Sequence, residues 1–253
     1  MMATELAKND AFSSALTESL NEQKAALPKD LNVTRFVQNS VALLNGNNVL
    51  IDFAQKYGTA QIKAGLLRGA FLGLDFINAE AYLVPYGSTL NFMPSYKGMI
   101  KLCIKYSSRP INTIYAKIVR EGDEFMEEIV RGQPSVTFRP KPFNKAPIVG
   151  CFAVCLYKDG GMVYEVMSKE DVEQCKRSSK SKNSPAWNFY TEMAKKTVIR
   201  RLAKSIPLDM DEKVADAMNA GLEIETDEKV LADREIAENG NTEEFAIDVE
   251  VTE

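Results

Sequence analysis

This chain of 253 residues contains no histidine. That absence removes Ser-His-Asp and Cys-His catalysis, histidine proton shuttling and mixed Cys/His zinc sites together. Cysteine is sparse: Cys103, Cys151, Cys155 and Cys175, with no C-x-x-C pair among them. Cys151 and Cys155 stand four apart in an apolar run, on one face of a strand, so the expectation is buried free thiols instead of disulfides or a metal cluster. No P-loop, dinucleotide fingerprint or G-x-S-x-G elbow occurs, and no cofactor is expected. No apolar run approaches the ~18 residues of a membrane-spanning helix. The opening MMATELAKND lacks a basic stretch followed by an apolar one, so the expected address is the cytoplasm, with no membrane partner.

What is present is an ordinary core and an uneven charge. Apolar residues make up 45% of the chain and charged residues 26%, enough for one large domain or two small ones. The net charge of −4 conceals two opposed halves. Met1 to Met210 carries 28 Lys and Arg against 20 Asp and Glu; Asp211 to Glu253 carries 3 against 15. A basic body points to a polyanion, and an acidic tail with few aromatics points to a solvated or partner-binding segment.

Residues 1–30 are polar without a sustained apolar period and read as a frayed amphipathic arm, used in assembly. Apolar spacing of three and four predicts two helices between Leu31 and Tyr57, broken at Asn45-Gly46-Asn47-Asn48. A third starts near Thr59 and stops at Gly73, with Leu74 behind it. AEAYLVPYG and STLNFMP alternate as a hairpin around Tyr86-Gly87-Ser88. PSYKGMIKLCIKYSS returns to helical spacing, with Met99, Ile100, Cys103 and Ile104 inward. Five strands follow: INTIYAKIV, FMEEIV, SVTFRP, IVGCFAVCLY and GMVYEVM, the last two joined at Asp159-Gly160-Gly161. Ser168-Lys169-Glu170-Asp171 opens a short helix. Another starts at Ser184-Pro185 and ends at Pro207. This order predicts an α+β fold: a small antiparallel sheet with helices packed across it, N-terminal helices and an acidic C-terminal tail. Within the tail, Asp211 to Ala220 reads as a short helix and Glu244 to Ile247 as a sticky end.

The densest charge lies between Cys175 and Lys204: Lys176, Arg177, Lys180, Lys182, Lys195, Lys196, Arg200, Arg201 and Lys204 against the single acid Glu192. Laid on a helix from Ala186 to Ser205, Trp187, Tyr190, Ala194, Val198 and Leu202 share one arc, and Phe189, Met193, Lys196, Arg200 and Lys204 the opposite one. Cations at four-residue spacing beside an exposed aromatic can follow a phosphate backbone and stack a base. The plain alternative is a solvated face. Like charges four apart repel, however, so the stripe weakens its helix unless an anion neutralises it. A second cluster sets Tyr96 beside Lys97, Lys101 and Lys105, where Gly98 allows close approach of a neighbouring backbone or a sugar-phosphate. A third, RPKPFNK, places Arg139, Lys141 and Lys145 around Phe143. The acids Glu121, Asp123 and Glu124 flank a glycine turn and could hold a hard cation for a metal-dependent nuclease or phosphodiesterase; the turn by itself accounts for Gly122-Asp123.

The blocks GAFLGLDFINAEAYLVPYG, FMPSYKGMIKL, EGDEF, MSKEDV and SPAWNFYTEMAKKTVIRRLAKSIPL, taken in order, resemble the RecT family of phage-type single-strand DNA annealing proteins. The resemblance runs from about Leu31 to Leu208. It implies ATP-independent pairing of complementary DNA strands in homologous recombination, on a homo-oligomeric ring or helical filament, with no catalytic residue. It also implies a partner exonuclease that exposes single strands, and contact with a host single-strand-binding protein. By position it carries DNA contact to Tyr96, Lys97 and Gly98 and to the basic helix. Three regions are expected: an arm (1–30), an annealing and oligomerisation core (31–209) and an acidic partner-binding or autoregulatory tail (210–253). Against annealing stand the nuclease and a passive single-strand coat; charge alone does not separate DNA from RNA.

Overall fold

The computed structural model describes residues 2–130, 132–179, 182–183 and 185–210. Lys180, Ser184 and the acidic segment 211–253, including its expected helix and sticky end, lie outside the described residues. The chain opens with helix α1 (Met2–Glu22), whose Leu16 and Leu20 are fully buried in the main core. The first 30 residues are therefore not a frayed arm. Phe12, Leu16 and Leu20, each one turn from the next, pack this helix on the main core.

Helices α2 (Val33–Asn45) and α3 (Asn48–Tyr57) start at Asn32 and Asn47, whose side chains accept from the backbone amides of Arg35 and Leu50. Each cap satisfies an amide that the first turn leaves open. Helix α4 (Ala60–Leu72) ends at Gly73, in the left-handed region at φ 69°, and the amide of buried Leu74 donates back to Gly69. Strands β1 (Ala81–Tyr86) and β2 (Thr89–Pro94) form a hairpin of their own, packed on α4. Helix α5 (Tyr96–Tyr106) follows, capped by Ser95. Its Met99, Leu102 and Cys103 are buried, but Ile104 is half exposed: the inward arc falls one position to the side of the expected one.

The central sheet is antiparallel, in the order β3 (Ile111–Arg120), β6 (Ile148–Tyr157), β7 (Met162–Ser168). Strands β4 (Glu124–Val130) and β5 (Gln133–Arg139) form a separate hairpin between β3 and β6 in the chain. Strand β6 alternates between two cores. Cys151, Ala153, Cys155 and Tyr157 join the main core, while Phe152 and Val154 face Phe125, Val136 and Phe138 of the hairpin. Burial on both faces is why this strand reads as one apolar run. All four thiols are free, and three are buried; burial pushes Cys103 and Cys151 up to about 12, so both stay protonated at neutral pH.

Helix α6 (Lys169–Ser178) carries the Ser168/Asp171 capping box. A 3-10 turn, Pro185–Asn188, then leads to α7 (Tyr190–Ser205). The expected continuous helix from Ala186 is thus broken at Phe189, because Trp187 turns inward against α6 and α7. Helix α7 lies across the sheet through Ala194, Val198 and Leu202, and Ile199, Ala203 and Ile206 pack toward α5. The architecture is α+β with small antiparallel sheets, as expected. Among the described residues no helix is long and apolar enough to cross a membrane.

Candidate nucleic-acid interface

The two faces of the β3-β6-β7 sheet carry different chemistry. On the hairpin side, β3 alternates Tyr115, Lys117 and Val119 opposite Val154, Phe152 and Gly150 of β6. Folding β4-β5 over this face leaves a groove of ≈ 590 Å3 lined by Tyr115, Lys117, Arg120, Phe138, Lys141 and Phe152, among others. Its floor is aromatic: Tyr115 and Phe138 meet Phe152 edge to face, with ring centroids 6.4 and 5.1 Å apart. Its cations come from β3 and from the β5-β6 loop. Of these, the sequence pattern singles out Lys141 alone. It does not single out Tyr115, Lys117 or Arg120, although the alternation of β3 places Tyr115 and Lys117 on one face. Arg139, at the end of β5, pairs with Glu124 at 3.5 Å.

The other face is covered by α7. Its outer side bears half-buried Lys196 and Arg200 and the more exposed Lys204, with Phe189 exposed at its start, whereas Met193, expected on the same arc, packs against the main core. Arg201 reaches Glu165 of β7 at 2.7 Å, and Lys195 pairs with Glu192. From α6, the Lys176 ammonium sits 5.3 Å above the Trp187 ring; Arg177 and Lys182 are exposed nearby in the chain. Partial burial, and then Arg200 and Arg201 beside it, hold the Lys204 ammonium below the ordinary lysine value. Crowded cations of this kind gain free energy when an anion joins them.

The α5 cluster is turned largely to structural use. Lys101 donates to the Gly73 carbonyl at 2.8 Å and to Glu80 at 2.7 Å, Tyr96 packs against the core, and Lys97 and Lys105 are exposed. A Cβ at Gly98 would overlap the Glu80 carbonyl oxygen. The close approach expected at Gly98 is thus made by the chain's own backbone. Within one chain the structure does not merge the three clusters into one trough. The hairpin groove and the α7 arc lie on opposite faces of the sheet.

The acidic turn is a structural hub. Asp123 Oδ2 accepts from the Arg120 amide at 2.9 Å, and Oδ1 accepts from the Lys141 amide at 2.9 Å and from Asn144 Nδ2 at 2.7 Å. These hydrogen bonds, that of Asn144 foremost, hold its carboxyl below the ordinary carboxylate value. Both oxygens are engaged in joining two loops, and no group of three acidic or Cys side chains suited to a metal ion occurs among the described residues.

A groove lined by aromatic and basic residues, with Asp123 among them, thus lies on one face of the small antiparallel sheet, and a cationic helix covers the other. Residues 34–233 match the RecT family. The chain belongs to that family, the single-strand DNA annealing proteins of recombination. It is similar to Protein RecT of Escherichia coli (strain K12), with 31% identity over 226 residues, covering 83% of this chain and 80% of that protein. The family match runs past Leu208, the expected end of the resemblance, so part of the acidic segment belongs to the family region.

Proposed function

We propose that the chain pairs complementary DNA strands without nucleotide hydrolysis, holding the first strand along the groove between β3 and the β4-β5 hairpin. The observation that carries this reading is the groove itself: Lys117, Arg120 and Lys141 around Tyr115, Phe138 and Phe152. Cations neutralise phosphates, the exposed Tyr115 ring above the buried Phe152 offers stacking to any base, and no base-edge reader is needed. Base pairing supplies the sequence test. The α6-α7 arc, with Lys176, Arg177, Lys182, Lys196, Arg200 and Lys204, is a second polyanion surface; Lys180 belongs to it by sequence. Lys97, Lys105 and Arg139 contribute at the margins.

A homo-oligomer, ring or filament, carries the groove from one copy to the next. The β4-β5 hairpin supports this, since it exposes Met126 and Val130 on one face of β4 and Ile129 on the other, surface that a neighbouring copy can cover. A partner exonuclease supplies the single strands, and a host single-strand-binding protein yields them. No turnover is involved.

The test mixes full-length protein with end-labelled complementary oligonucleotides and magnesium, without ATP. Faster duplex formation with strands of unchanged length is expected. Shortened strands would mean a nuclease, and tight binding with no gain in pairing rate a passive coat.

A further inference from the structure

The loop between β5 and β6 contains a residue that the fold does not need. Phe143 is 99% exposed and sits at φ 54°, in the left-handed region that a bulky side chain rarely adopts. Both features are unfavourable, and nothing in the chain's own packing offsets them, because the ring makes no buried contact. The surrounding backbone nevertheless holds the conformation firmly. Asn144 donates to Asp123 and, at 3.0 Å, to the Glu121 carbonyl. The Ala146 amide donates to Asn144 Oδ1 at 2.9 Å, the Arg120 guanidinium to the Ala146 carbonyl at 2.7 Å, and the Glu121 amide to the Pro147 carbonyl at 3.0 Å. Pro140, Pro142 and Pro147 stiffen the same stretch. A strained residue kept in place by a network this dense marks a functional position.

Its neighbours say which function. Lys141 and Lys145 bracket Phe143 at two residues on either side, and Lys141, Asn144 and Pro140 line the groove. We propose that Phe143 is a wedge: it inserts between neighbouring bases of a DNA strand lying along the groove and opens the base stack for the incoming strand. Insertion removes the ring from water and substitutes base–aromatic stacking for base–base stacking. Flanking lysines meet the phosphates on either side of the opened step. A rigid loop suits this task, since a mobile ring would fold back and leave the stack closed. The proposal rests on the groove being the strand site, and it makes Phe143 a positioning residue for pairing.

The experiment uses full-length protein and a single-stranded oligonucleotide with one 2-aminopurine, whose fluorescence rises when it is unstacked. At saturating protein the wild type raises the signal. Phe143→Ala abolishes the rise and slows pairing of the complementary strand, while Phe143→Tyr restores both; melting temperatures are equal because the ring buries nothing. A rise that persists in Phe143→Ala overturns the wedge. So does a change in assembly size with the rise intact, which would make the ring a subunit contact. Lys117→Ala/Lys141→Ala separates the two ideas. If it binds DNA as the wild type does, the groove reading itself fails. If it weakens binding while Phe143→Ala keeps the rise, the groove stands and only the wedge falls.

Discussion

Gly98 lies in the first turn of α5, directly under the Glu80 carbonyl that also accepts from the Ser95 amide at 2.8 Å. The obstructing atom is backbone, so it cannot rotate away. Gly98→Ala therefore destabilises by overpacking, by about 1–3 kcal/mol, read as a lower urea midpoint with an unchanged slope. A variant as stable as the wild type would mean that α5 can shift off β1. Asp123 gives a prediction with a sign. Its pKa is depressed in the folded chain, so the stability it contributes is present above the ordinary carboxylate value and is lost as pH falls through the folded one. Asp123→Ala should melt below the wild type at neutral pH, and the gap should narrow progressively as the pH falls below the ordinary carboxylate value. A gap independent of pH would show that the two loops hold together without the charge.

The two cationic surfaces are separate elements on opposite faces of one sheet, so their substitutions should act independently. Every single-strand phosphate that the protein ceases to neutralise lowers the slope of log K against log salt by ~0.7. Lys117→Ala/Lys141→Ala in the groove should flatten it by about 1.4, and Lys196→Ala/Arg200→Ala/Lys204→Ala on α7 by about 2, if each side chain meets one phosphate. Salt titration by fluorescence anisotropy decides. No change for the α7 triple variant would confine DNA to the hairpin side. At the hairpin, Ile129→Asp/Val130→Asp places charge on the exposed tip and should shrink the assembly seen by mass photometry; an unaltered mass distribution would put the subunit interface elsewhere.

For the whole molecule, the opposed charges of body and tail set the question. The last described segment runs from Pro207 to Met210 along the end of α5, where the Asp209 amide donates to the Tyr106 carbonyl at 2.7 Å. The acidic segment therefore follows on from the end of α5, and any competition of its carboxylates with DNA is expected at low ionic strength, where screening is weakest. Ending the chain after Met210 should tighten DNA binding at low salt and change little at high salt. Equal affinity at low salt would remove the competitor role and leave partner binding.

Most of the secondary structure was legible in the sequence because it is locally encoded: Asn32 and Asn47 cap, Gly73 turns left-handed, Asp159-Gly160-Gly161 closes a hairpin. The α7 stripe was legible too, since a helix wheel is a property of one segment. The break at Phe189, the burial of Leu16 and Leu20 and the exposure of Ile104 were not, because each depends on what other elements press against that spot. The groove was the largest omission. Lys117 and Lys141 are 24 positions apart in the chain, and only folding β4-β5 over β3 and β6 brings them around Phe152. Local spacing determined the elements and the sign of the charge; long-range packing alone decided which cations face each other across a floor of aromatic rings.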